Sequence, residues 1–147
     1  MSRAPEASHA NQILVTIAVQ DNKLCVYPRR EDDAVIYCNS EKPGEPPDSP
    51  EKPQQICWVV KDLEEMPTTR RVLIKANEKN GTRVFKESEW EINGTTGPYA
   101  VSGPVVAHPV KGSYTPWKYD IELLDTINGT ETRLDYIDPT VVIKTDP

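Results

Sequence analysis

The sequence predicts an all-β protein, a single Greek-key β-sandwich, and three observations carry that expectation. Short runs rich in Val, Ile and aromatic residues recur along the chain, separated by clusters of Gly, Pro, Asn and Asp. Residues 117–124, WKYDIELL, alternate strictly: Trp117, Tyr119, Ile121 and Leu123 share one strand face, and Lys118, Asp120 and Glu122 share the other. Helical periodicity is nearly absent. At 147 residues the chain fits one domain. A chain of that length can bury roughly 68–70% of its unfolded surface, so it needs no disulfide or metal staple. Hydrophobic content of 37%, 14 prolines and a mean hydropathy of -0.59 imply long polar loops around a modest core.

In chain order, residues 1–11 are polar and read as a flexible tail before a domain spanning 12–145. ILVTIAV (13–19), LCVY (24–27) and AVIYC (34–38) are β-branched or apolar runs separated by the polar turns QDNK and RREDD. Residues 39–55 carry Pro43, Pro46, Pro47, Pro50 and Pro53 among charges, which predicts a long surface loop with polyproline character. Strand character resumes in ICWVV (56–60), and KDLEEMPTT follows as a loop with one helical turn. RRVLIKA (70–76) is the next strand. Residues 77–104 are broken by Gly94, Gly97, Pro98, Gly103 and Pro104, leaving TRVF and EWEI as short strands or an excursion. VVAHPV (105–110) pairs at an edge, because Pro109 cannot donate to a central ladder. WKYDIELL, TRLDYI (132–137) and TVVIK (140–144) close the chain, with a bend at Asp138-Pro139.

Asn-Gly-Thr occurs at 80–82, 93–95 and 128–130. The tripeptide is a glycan acceptor and also a hairpin signal, because Asn and Gly both tolerate positive φ. No basic segment directly precedes the apolar run 13–19 and no small-residue cleavage site follows it, so export is not expected and the sites read as turns. No stretch approaches the ~20 apolar residues of a membrane span, and the expected location is the cytoplasm. Cys25, Cys38 and Cys57 lie in apolar runs without close spacing and read as reduced core residues.

The order of segments resembles the cupredoxin-like β-sandwich, itself immunoglobulin-like in layout, and more narrowly small bacterial proteins of that fold. The resemblance covers roughly residues 12 to 145. It rests on the early ladder, then ICWVV, RRVLIKA, SGPVV, GSYTPWKYDIELL and DPTVVI. It implies the scaffold without the copper. Such a site takes two His, one Cys and commonly a Met near the last hairpin, where this chain has Ile121 and neither His nor Met after His108.

Other chemistry finds little footing. Ser102 or Ser113 with His108 and Asp120 or Asp125 lacks a nucleophile-elbow spacing. Two His and three scattered Cys do not make a zinc pattern, and Glu31-Asp32-Asp33 and Glu64-Glu65 lack the alternating ligands of a calcium loop. A net charge of -6 opposes phosphate binding and hence nucleic acid. No cofactor, metal or membrane is expected. The reading that remains is a non-enzymatic protein-interaction or assembly module, with Trp90, Tyr99, Pro46 and Pro47 as contact residues and a protein as partner. Trp58, Trp117 and Tyr119 are assigned to the core. A second class, a hydrolase or carbohydrate-binding domain with a loop-built carboxylate and aromatic site, would need a deep pocket with convergent carboxylates.

Overall fold

Alternation of apolar and polar side chains makes most strands one-sided, and burying those sides against each other builds two layers. The computed structural model describes residues 12–28, 34–38, 55–76, 83–106 and 114–145. The tail 1–11, the proline-rich loop with Pro46 and Pro47, Asn80-Gly81-Thr82 and His108 lie outside the described residues. The strands are β1 (Gln12–Gln20), β2 (Lys23–Tyr27), β3 (Val35–Cys38), β4 (Gln55–Val60), β5 (Arg70–Ala76), β6 (Glu89–Asn93), β7 (Tyr99–Val101), β8 (Tyr114–Ile127), β9 (Thr130–Ile137) and β10 (Thr140–Thr145). A 3-10 turn at Leu63–Glu65 is the helical turn foreseen in KDLEEMPTT. Among the described residues there is no α-helix, and none long and apolar enough to cross a membrane.

The fold is a β-sandwich of two mixed sheets. One has the order β2-β1-β4-β7; the other runs β3-β10-β8-β5-β6, with β9 also on β8. β1 and β4 are parallel, as are β3 and β10, while the remaining pairs are antiparallel. β9 and β10 lie end to end along one side of β8. The pairing holds its register across Asp138-Pro139, with Ile121 opposite Ile137 and Lys118 opposite Thr140. At the interruption the Tyr119 N–H donates to the Pro139 carbonyl at 3.2 Å.

Two hairpins have the turn chemistry their sequences require. Asp21 and Asn22 (φ 53° and 60°) join β1 to β2, and Asn128 and Gly129 (φ 52° and 78°) join β8 to β9. Asn93-Gly94-Thr95 is a turn of another kind. The Asn93 side-chain oxygen accepts from the Thr95 and Thr96 N–H groups at 2.8 and 2.9 Å, and the positive φ falls on Gly97.

Inward rows fill the space between the sheets. Val15, Ile17, Ile56, Trp58 and Val60 come from one layer, and Val72, Ile74, Ile92, Trp117, Tyr119, Ile121, Leu123, Val141 and Ile143 from the other. At the centre, five aromatic side chains form a closed ring. Trp58 meets Trp90 at 4.8 Å between centroids, Trp90 meets Phe85 at 5.8 Å, and Phe85 meets Trp117 at 5.0 Å. Trp117 then stacks on Tyr119 at 5.1 Å, and Tyr119 returns to Trp58 at 5.6 Å. Most contacts are tilted or edge-on, the favoured arrangement for aromatic quadrupoles.

The structure corrects several expectations. Trp90 is a core residue rather than a contact residue, because the alternation Glu89-Trp90-Glu91-Ile92 turns Trp90 and Ile92 inward from β6. Cys25 is exposed, since Leu24 and Val26 take the inward positions of β2. Val84, Phe85 and Val105 are buried without belonging to a strand. Val106 donates to the Val84 carbonyl at 2.8 Å, which holds the two segments together.

Candidate protein-docking face

The two sheets differ sharply on their outer faces. On the six-stranded sheet the outward positions are ionic. The Arg71 guanidinium donates to Glu131 at 2.9 and 2.8 Å through Nε and Nη2, and through Nη1 to Glu91, which also accepts from the Asn93 amide. Lys75 pairs with Glu122 at 2.9 Å, and Arg133 reaches the same carboxylate at 3.8 Å. Arg133 also lies over the Tyr136 ring, 5.2 Å from its centroid. The Tyr136 hydroxyl donates to Asp120 at 2.8 Å, and that carboxylate pushes the phenol up to about 12. Hydrogen bonding to Arg71 holds the Glu131 carboxyl below its ordinary value. Hydrogen bonding to Glu131 and Glu91 raises Arg71, and bonding to Glu122 raises Lys75. Leu73 and Leu124 lie beneath this lattice, opposite Glu122 and Arg71 in register and outside the central cluster, where long charged side chains cover them.

The outer face of the four-stranded sheet is the reverse. Register places Tyr27, Thr16, Val59 and Tyr99 in one row across all four strands. On one side of the row lie Leu14, Cys57 and Val101, and on the other Ala18 and Cys25. None of these is charged; Lys23 and Lys61 come only at the loop end. Tyr27 is 76% exposed and Tyr99 41%, so the row ends in two open phenols. Thr16, Val59, Leu14 and Val101 are half-buried. Cys57 sits between Leu14 and Val101 with 1% exposure, and burial pushes its thiol up to about 11, which makes it a poor nucleophile.

Of the sequence-chosen contact residues, the structure puts Tyr99 on this face and Trp90 in the core, while Pro46 and Pro47 lie outside the described residues. Tyr27, Thr16 and Val59 were missed. The signal was present: in QILVTIAVQ and in QICWVV neither alternating set carries a charge, so both faces of two adjacent strands are apolar.

Of the residues considered for catalysis, Ser102 and Asp125 make structural bonds, while His108 and Ser113 lie outside the described residues. Ser102, 1% exposed, accepts the Ile56 N–H at 2.9 Å through Oγ and donates to the Gly103 carbonyl at 3.0 Å, extending the β4–β7 ladder by a side chain. Asp125 is held below its ordinary value by the Thr69 hydroxyl first and then by Arg70, whose Nε is 3.2 Å away. Among the described residues no group of three or more His, Cys, Asp and Glu could hold a metal ion. At the loop end a hollow of about 460 Å³ is bounded by Asp21, Asp62 and Glu65 together with Lys61 and Arg70, and no aromatic ring lines it. Compared with models of known protein families and with curated proteins, the chain gives no match.

Proposed function

We propose that the chain is a cytoplasmic, metal-free, non-enzymatic protein-interaction or assembly module on a cupredoxin-like sandwich, and that its partner protein docks on the outer face of the four-stranded sheet. The observation that supports this most is the uncharged row Tyr27–Thr16–Val59–Tyr99. A contiguous uncharged sheet face with exposed tyrosines at its margins has the composition of an interface core, where charge is depleted and aromatics are enriched. The opposite face has its charges paired with one another, so a partner there would have to displace an ionic lattice to gain little. The hollow at the loop end favours the hydrolase or sugar-binding class less. Its carboxylates share the space with Lys61 and Arg70, and it has no ring on which a sugar could stack.

Three exposed tyrosines make the test direct. A photo-crosslinking amino acid placed at Tyr27, at Tyr99 or at Tyr136 reports on both faces in living cells. The same adduct is expected from Tyr27 and Tyr99 and none from Tyr136. Adducts from Tyr136 alone would move the docking site to the other sheet.

A further inference from the structure

We infer that the partner presents, beside this face, an extended, uncharged segment with apolar side chains at alternate positions, added as a fifth strand on the outer edge of β7. The inference rests on the docking face proposed above, and its first support is size. Four strands about 4.8 Å apart, with about five residues each at a rise of about 3.3 Å, present a footprint of roughly 300 Å². A stable globular interface takes about 800 Å² from each partner. A patch this small needs a further source of affinity, which main-chain bonds to the strand edge beside it would supply.

The second support is the state of the sheet edges. β2 is closed: its outward Leu24 N–H donates to the Asp135 carboxylate at 2.6 Å, across to β9. β6 carries Glu89 and Glu91 along its edge, the charged protection that discourages strand addition. β7 carries Tyr99, Ala100 and Val101 and no charge; β6 approaches it at the Asn93–Gly97 turn, but no described strand pairs with its outer side. The Val60 N–H donates to the Pro98 carbonyl at 2.8 Å and the Ser102 N–H to the Ile56 carbonyl at 2.9 Å. Residues 98, 100 and 102 therefore turn their main chain toward β4, and by the two-residue period Tyr99 and Val101 turn theirs outward. The side chains of Tyr99 and Val101 lie on the uncharged face, opposite Val59 and Cys57. A segment bonded to those two residues would set its alternate side chains beside that face. A charge at those positions would be desolvated without a partner, which selects an uncharged sequence. The ladder is short, so main-chain bonds fix direction and register while the side chains supply most of the affinity.

The test uses a phage-displayed library of random 12-residue peptides selected on the full chain, with the strongest peptide then made synthetically as the probe. Enrichment of sequences alternating apolar and uncharged polar residues is expected. The probe should protect the Tyr99 and Val101 amides from hydrogen exchange, and Val101→Pro, which removes one outward N–H, should weaken it at least tenfold. Amide protection in the unaltered chain keeps the test independent of whether Val101→Pro folds. If the probe shifts resonances of Thr16 and Val59 but leaves the two amides exchanging freely, strand addition is wrong and the docking face stands. If selected peptides bind elsewhere, or none is selected, both readings fall.

Discussion

At the scale of single residues, the alternation of β8 decides what a substitution costs. Ile121 is fully buried between the layers, and Glu122, one position on, points to the outer face. Ile121→Asp places an unpaired charge in the aromatic and aliphatic core, a change costing several kcal/mol. Glu122→Ala loses its pairs with Lys75 and Arg133 and should cost about 1 kcal/mol or less. Urea midpoints measure both, and a larger loss for Glu122→Ala would reverse the face assignment. Trp90→Ala opens the aromatic ring and should cost roughly 3–5 kcal/mol, as large-to-small changes of buried aromatics do; a loss under about 1 kcal/mol would contradict its place in the core. Among the two described free thiols, Cys25 should react with a disulfide reagent in the native state and Cys57 only after unfolding, because burial raises its thiol to about 11.

At the scale of elements, the strands themselves were legible, because alternation and turn residues are local signals. ILVTIAV, ICWVV, RRVLIKA, WKYDIELL, TRLDYI and TVVIK became β1, β4, β5, β8, β9 and β10 with ends moved by a few residues at most. Asn128-Gly129 was readable as a hairpin because both residues take positive φ. Residue type misleads where position decides. A free Cys reads as buried, but Leu24 and Val26 already claim the inward positions around Cys25. The glycines after Trp90 suggest an irregular segment, although its own strand alternates cleanly. The uncharged face as a whole was not legible from any one segment, although β1 and β4 each show an uncharged outer set, since the row from Tyr27 to Tyr99 exists only once β1 pairs in parallel with β4, a contact between distant parts of the chain. The corner between β2 and β9 gives a prediction at this scale. The Leu24 N–H first, and the Tyr136 N–H second, hold the Asp135 carboxyl below its ordinary value. A carboxylate depressed in the folded state stabilises above its unfolded pKa of about 3.9, and that stabilisation is lost as pH falls through the folded value. The thermal midpoint should therefore drop below about pH 4, and Asp135→Asn should make that drop shallower. Asp125 and Glu131, also lowered by their partners, leave part of the slope in place. An unchanged acid limb in Asp135→Asn would remove this carboxylate from the account.

At the scale of the whole molecule, the two layers divide the work. The six-stranded sheet pairs its outward charges internally, and the four-stranded sheet leaves an uncharged surface bounded by Tyr27 and Tyr99. The aromatic ring between them ties both layers into one core, so a change on either outer face should leave the fold intact. The most direct measurement places a charge at the middle of the uncharged row, Thr16→Glu, in a chain carrying the photo-crosslinking residue at Tyr99. The adduct should disappear while the unfolding free energy from urea denaturation changes by no more than about 1 kcal/mol, the usual scale for a substitution outside the core. An adduct of undiminished yield from that folded variant would contradict docking on this face.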